Sequence, residues 1–255
     1  MPPINGPNSK IDMKKFLLIL ATLILTLGVS AQVKRYIRTR LGVVDQIKNY
    51  GRVSYRGLNY YPMGKDSLLV REDMCQNDSV IIPQILTIDK KPYTVCGFKD
   101  MAFEYNHYIR YVSIPSSVGT ISGSCFYQCH YLSECVMPGV KVIEGYAFWG
   151  TAFERIAFPE GLEYIGDYAF RECRNLRYVE FPSTLRKIDQ YAFSGCEIDT
   201  IKVNFTTPAQ LRPGALSTRA KNYNQESTVL MVPKGSKHLF ESDKYWKYFR
   251  DVVEF

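Results

Sequence analysis

The chain has 255 residues, 46% of them hydrophobic and 22% charged, with 19 Tyr, 14 Phe and a net charge of +7. That length holds one or two domains, and that balance belongs to a folded chain and excludes a disordered one. The positive excess is confined to the N-terminal part, since residues 57–255 sum to about −1, which excludes a basic surface spread over the whole fold.

In chain order, residues 13–31, MKKFLLILATLILTLGVSA, read as a secretory signal peptide. Lys14 and Lys15 precede an apolar run over 16–27, and Val29-Ser30-Ala31 places cleavage before Gln32. The run is shorter than the roughly 18–20 residues a membrane span needs. Met13 is the expected start, with 1–12 a spurious extension. No Cys follows the run to carry a lipid and no later stretch is apolar enough to span a bilayer. The expected mature chain has no transmembrane helix and is secreted, or held at the cell surface or in the periplasm.

Residues 33–56 carry Lys34, Arg35, Arg38, Arg40, Lys48, Arg52 and Arg56 against one acid, Asp45. The stretch could meet a polyanion. It offers no aromatic stacking platform, and export argues against nucleic acid as a partner, so a solvated arm is expected. Residues 57–79 then read as a hairpin, with Tyr60 and Tyr61 in one strand, Leu68, Leu69 and Val70 in the other, and Pro62, Gly64 and Asp66 between them. The segments 79–83 and 92–95 continue the β pattern around a turn at 89–92. Together these form an N-terminal β cap.

From about residue 82 to 203 one unit recurs. Phe103, Phe126, Phe148, Phe170 and Phe193 follow one another at 22–23-residue spacing, preceded by Ala102, Cys125, Ala147, Ala169 and Ala192. Five positions earlier stand Phe98, Ile121, Ile143, Ile165 and Ile188, and a Pro closes each unit. The strand positions after each Phe are Ile109/Val112/Ile114, Leu132/Cys135/Met137, Phe153/Ile156/Phe158, Leu176/Val179/Phe181 and Ile198/Ile201/Val203. The third and fifth units are one residue short, and the first is long, 32 residues from Pro83 to Pro115. A fixed period in the twenties means a solenoid, here a right-handed β-rich stack of about five rungs, a rod or arc with capped ends. One rung cannot stand alone. About six inward side chains contribute roughly 9–18 kcal/mol on burial, against roughly 1–2 kcal/mol of backbone entropy for each of about 22 residues.

The units, read as IP…V…I…AF…C..L..V.FP, closely resemble the BspA-like leucine-rich repeat family of secreted and surface proteins of Bacteroidetes. The segments 228–240 and 245–255 are similar to that family's closing module of strand, Val-Pro, Gly-Ser, helix, Trp and last strand. The expected division is therefore 1–31 leader, 32–79 arm and cap, 80–203 repeats and 204–255 closing module. The resemblance implies a non-catalytic protein acting in adhesion to host, matrix or bacterial surfaces.

The seven cysteines are an odd number. Cys129, Cys173 and Cys196 fall three residues after a repeat Phe, Cys125 takes the Ala slot and Cys135 the Val slot, so all five read as small buried hydrophobes. Cys173 with Cys196, on adjacent rungs, and Cys75 with Cys96 are the conceivable disulfides. His107 and His130 should be neighbours on adjacent rungs and solvated. No zinc spacing, phosphate loop, nucleophile elbow or calcium loop occurs, so no cofactor, metal or catalytic residue is expected. Asp66-Ser67-Leu68, Asp78-Ser79-Val80 and Asp199-Thr200-Ile201 are similar to O-glycan acceptor sites of exported Bacteroidetes proteins.

What remains is the outward face of the strands. One row is Tyr111, Glu134, Arg155, Tyr178 and Thr200, the other Ser113, Val136, Ala157, Glu180 and Lys202. Tyr and Arg are frequent anchors at interfaces, so Tyr111, Glu134, Arg155, Tyr178, Glu180 and Lys202 are the expected contacts for a protein or glycan ligand. The alternative is an envelope scaffold that self-associates or assembles a complex.

Overall fold

The structure, a computed structural model, describes residues 45–47, 52–71, 75–217, 228–249 and 251–255. The signal peptide, its cleavage point and most of the basic stretch lie outside the described residues. The chain divides into two compact units, Met1–Arg56 and Gly57–Phe255. In the first, β1 (Asp45–Ile47) pairs antiparallel with β2 (Arg52–Tyr55).

The second unit opens with the expected hairpin. The strands β3 (Leu58–Met63) and β4 (Ser67–Arg71) pair antiparallel, turning at Gly64, whose φ is +72°. Next come β5 (Ser79–Ile81), β6 (Ile85–Ile88) and β7 (Lys91–Phe98). β6 and β7 form a second hairpin through Asp89 and Lys90, and β7 lies parallel to β4. The extra length of the first repeat unit is this second hairpin.

Two parallel ladders then carry the solenoid. The strand face holds β5, β8 (Tyr111–Ser113), β10 (Glu134–Val136), β12 (Arg155–Ala157), β14 (Tyr178–Phe181), β16 (Thr200–Val203), β18 (Val229–Val232) and β19 (Asp251–Glu254). The second ladder is β9 (Thr120–Ile121), β11 (Val142–Ile143), β13 (Tyr164–Ile165), β15 (Lys187–Ile188) and β17 (Gln210–Leu211), unbroken. The strand face thus extends beyond the five Phe-anchored rungs, by β5 ahead of them and by β18 and β19 behind. Between β18 and β19 lie the short helix α1 (Lys237–Ser242) and a 3-10 turn, Trp246–Tyr248. Trp246 is fully buried against Phe205, Phe240 and Phe249 and donates its indole N–H to the Ala209 carbonyl at 2.9 Å.

Each rung turns its third corner without a strand. The residues two before and two after every repeat Phe have positive φ: Met101/Tyr105, Ser124/Gln128, Tyr146/Gly150, Tyr168/Glu172 and Tyr191/Gly195. Only two of the ten are Gly, so most corners carry a left-handed side-chain-bearing residue at a cost of about 1–2 kcal/mol each. A third hydrogen-bond ladder offsets that cost. The N–H groups of Phe103, Phe126, Phe148, Phe170 and Phe193 donate to the carbonyls of Cys125, Ala147, Ala169, Ala192 and Ala215 on the next rung, at 2.7–2.9 Å. The Phe rings follow, with centroids 5.1–5.2 Å apart and planes within 15°, close to the ~4.8 Å spacing of the strands themselves.

The inward positions read from the repeat are buried throughout, save Cys135, which is half-buried. No disulfide joins any two of the seven cysteines. Those three residues after a repeat Phe are more than filler. The Cys129, Cys173 and Cys196 thiols donate to the carbonyls of Phe103, Phe148 and Phe170 on the preceding rung at 3.0–3.2 Å. In the third rung Thr151 takes the slot and donates to Phe148 at 2.9 Å.

The strand face is not continuous. β5–β8–β10 form one sheet and β12–β14–β16–β18–β19 another, with no pairing between β10 and β12. The two rungs remain joined elsewhere: β9 bonds β11, Phe126 stacks on Phe148, and Ala152 N–H donates to the Leu132 carbonyl at 2.9 Å. The missing residue does not part the strands alone, because the fifth rung is equally short and β16 pairs with β14 over four residues. What sets the third rung apart is Phe153 where the others carry Ile109, Leu132, Leu176 or Ile198. Its ring meets Phe148 edge-on at 5.6 Å and Phe170 at 6.3 Å, filling space that the other rungs leave to an aliphatic side chain.

Candidate functional site

The expected contact rows lie in register where the ladder is intact. Tyr111 faces Glu134 across β8 and β10, and Arg155, Tyr178 and Thr200 align across β12, β14 and β16, beside Ala157, Glu180 and Lys202. The break divides the row, so Tyr111 and Glu134 stand on one sheet and Arg155, Tyr178, Glu180 and Lys202 on the other.

The second group is a connected cluster. Strand alternation turns these side chains outward, and parallel pairing sets neighbouring rungs side by side. The Arg155 guanidinium lies 4.9 Å from the Tyr178 ring centroid, a contact contributing about 0.5–1 kcal/mol at an exposed site. The Tyr178 hydroxyl donates to Glu180 Oε2 at 3.1 Å. Glu180 Oε1 accepts from Lys202 Nζ at 3.0 Å and Asn204 Nδ2 at 3.1 Å. Lys202 in turn sits 4.7 Å over the Phe255 ring. The Asn204 amide, with the Lys202 ammonium and the Tyr178 hydroxyl, holds the Glu180 carboxyl below the usual carboxylate range, while burial works against that shift. Burial first, then the Glu180 carboxylate, push the Tyr178 phenol up. Sequence reasoning found four members of this cluster and missed Asn204 and Phe255, which the ends of β16 and β19 bring in from outside the repeat.

A second aromatic array was also missed. Tyr105, Tyr127, Trp149, Tyr146, Tyr168 and Tyr191 run along the Ala-Phe corner with centroids 5.1–5.5 Å apart. Arg171 lies 4.7 Å over Trp149 and 5.3 Å over Tyr168. The signal was present two residues after Phe103, one after Phe126 and Phe148, and two before Phe148, Phe170 and Phe193. From Trp149 to Tyr191 the rings are stacked, so their faces cover one another and little face is left for a ligand. This array reads as a spine along the stack.

The histidine pair lies where expected, with His107 and His130 stacked at 6.0 Å and both exposed. Burial pushes the Cys125 and Cys196 thiols well above the ordinary value and Cys135 up to about 12, the opposite of an activated nucleophile. Among the described residues no group of three His, Cys, Asp or Glu side chains could hold a metal ion, and no helix is long and apolar enough to cross a membrane.

The model of the BspA-type leucine-rich repeat region matches residues 78–215 in six copies, more than half of the chain. The chain belongs to the BspA-type leucine-rich repeat family. The chain is also similar to solved structures at low identity. A leucine-rich repeat protein of T. pallidum is 20% identical, with 78% of this chain and 83% of that one covered and a TM-score of 0.54. The pneumococcal vaccine antigen PcpA is 20% identical, with 77% and 51% covered and a TM-score of 0.55. A leucine-rich cell surface protein of Faecalibacterium prausnitzii A2-165 is 17% identical, with 80% and 54% covered and a TM-score of 0.49. This chain spans about half the length of the last two, and at these identities the likeness speaks to the fold alone. No curated protein matches.

Proposed function

We propose that this is an exported, non-catalytic binding protein that recognises a protein or glycan on host, matrix or bacterial surfaces through the strand face from β12 to β19. The observation that carries the reading is the Arg155–Tyr178–Glu180–Lys202 cluster. It presents a cation, a phenol, a carboxylate and a second cation already held in place, so little side-chain freedom is lost on contact. The family supports a non-catalytic role. The leader at 13–31 and its cleavage before Gln32 support export, and the division at 32–79, 80–203 and 204–255 leaves the cluster on the repeats. Replacing Arg155, Tyr178 and Lys202 together by Ala is expected to lower retention on surface extracts by at least about tenfold, since anchors of this kind contribute about 2 kcal/mol or more. Unchanged retention by a folded variant would refute the site.

One observation favours the second reading, a scaffold that self-associates. The outer edge of β19 ends its sheet among the described residues, with Val253 and Phe255 exposed. A concentration-independent monomer in sedimentation would exclude it.

A further inference from the structure

The one-residue deletion in the third rung leaves a notch in the turn ahead of β12. Residues 149–152 join Phe148 to Phe153, whereas the second and fourth rungs use one residue more, 127–131 and 171–175. The short turn is recessed: Thr151 is buried and Ala152 half-buried, while His130 on one side and Arg174 and Asn175 on the other are exposed. The fifth rung has the same short turn, but there Arg177 of the fourth rung bridges it. Its guanidinium donates to the carbonyls of Arg174 and Glu197 and to Glu197 Oε2, each at 2.9 Å. The matching position on the second rung is Ser133, too short to reach across, and its hydroxyl donates to the Arg110 carbonyl at 3.3 Å. A cavity of about 460 Å³ therefore stays open over the third rung, walled by Gln128 and His130 on one side and by Glu172, Arg174 and Asn175 on the other.

The walls mix donors with acceptors. The Gly150 carbonyl can only accept, so His130 donates Nδ1–H to it at 3.0 Å, and the neutral ring keeps Nε2 as an acceptor. Glu172 Oε2 accepts from Arg174 Nε and Nη2, each at 2.8 Å, so the two charges offset one another in place. The Gln128 and Asn175 amides, each both donor and acceptor, have no hydrogen-bond partner among the described residues. We infer that this notch binds a neutral saccharide, one or two rings of a glycan chain. Its volume falls within the roughly 300–1,000 Å³ of small-ligand sites. Every sugar hydroxyl both donates and accepts, which is what interspersed amides, an imidazole acceptor and a charge-balanced carboxylate–guanidinium pair can satisfy. A phosphate or sulfate would meet the Glu172 carboxylate with its only close cation already engaged. A peptide anchor would need an apolar pocket, and Trp149 and Ala152 are the only apolar side chains in the lining. The site goes beyond the outward cluster proposed above, shares no residue with it and does not rest on it.

The test adds cellobiose, maltose, lactose and N,N′-diacetylchitobiose in turn, at millimolar concentration, to the isotopically labelled exported protein. The side-chain amide signals of Gln128 and Asn175 are followed by NMR. At least one of the four sugars is expected to shift both signals saturably. Asn175→Ala is expected to weaken binding of that sugar at least about fivefold, because a hydroxyl is left without its partner. Ser133→Arg gives the second rung the side chain that bridges the fifth, and is expected to abolish binding while the fold stays intact by circular dichroism. No shift with any of the four sugars would overturn the site, as would binding that survives Ser133→Arg or is indifferent to Asn175→Ala.

Discussion

Replacing Phe148 by Ala removes the middle ring of the stack that joins the rungs. Phe148 is fully buried, stacked on Phe126 at 5.2 Å and Phe170 at 5.1 Å, and meets Phe153 edge-on at 5.6 Å. A buried Phe→Ala change costs about 3–5 kcal/mol through lost transfer energy and the cavity left behind. Three ring pairs each contribute about 0.5–1.5 kcal/mol beyond area, which places this site at the upper end, about 5 kcal/mol. Total stability of a domain is about 5–15 kcal/mol. At about 2–4 °C per kcal/mol for a unit of this size, the melting temperature should fall by about 10–20 °C. Thermal melts followed by far-UV circular dichroism measure it, with Val136→Ala, 47% exposed on the strand face, expected to stay within about 0.5 kcal/mol of the parent. A loss below about 1.5 kcal/mol for Phe148→Ala would show that the ring stack does not hold the rungs together.

Gly166→Ala should also destabilise, by about 1–3 kcal/mol in chemical denaturation. Its new Cβ would stand 2.7 Å from Gly145 N and 2.8 Å from Glu144 C, backbone atoms of the preceding rung that cannot move aside singly. Phe153→Leu, which gives the third rung the side-chain type of its neighbours, should bring β10 and β12 together and slow amide exchange at Arg155 and Ala157; unchanged exchange would remove Phe153 as the wedge. Glu180 supplies a pH dependence. Its folded value lies below the ordinary carboxylate value of 4.5, so the unfolded chain binds its proton first as pH falls. The contribution is therefore complete above about pH 4.5 and disappears as pH drops through the lowered folded value. The stability difference between the parent and Glu180→Gln should shrink over that window, and a difference independent of pH would refute the linkage.

The core was legible because the repeat states it five times over. Ile165, Phe170, Leu176 and Val179 each have counterparts that must fill the same slot on the next rung, so spacing alone assigns them inward. The gap was not legible, because it depends on the volume of one ring. The third and fifth rungs share the same one-residue deletion, and only the bulk of Phe153 against Phe148 and Phe170 separates their outcomes. The thiol hydrogen bonds were hidden for a related reason. Cys129, Cys173 and Cys196 were placed inward correctly, but their acceptors are backbone carbonyls a rung away, at Phe103, Phe148 and Phe170. The outward cluster was half visible. Alternation gave Arg155, Tyr178, Glu180 and Lys202, whereas Asn204 and Phe255 come from beyond the repeating positions and enter only once the chain is folded.

The left-handed corners bear on how the protein responds to load. Every bond between rungs, in both strand ladders and in the Ala-Phe ladder, runs along the axis of the stack. Tension applied along that axis meets one rung interface at a time, and a rung freed from its neighbour keeps two strained corners with nothing to hold them. It then extends at once, releasing roughly 22 residues, about 75 Å of chain at ~3.4 Å per residue. A tether built this way yields in discrete steps and lengthens under pull while the rungs behind it stay folded.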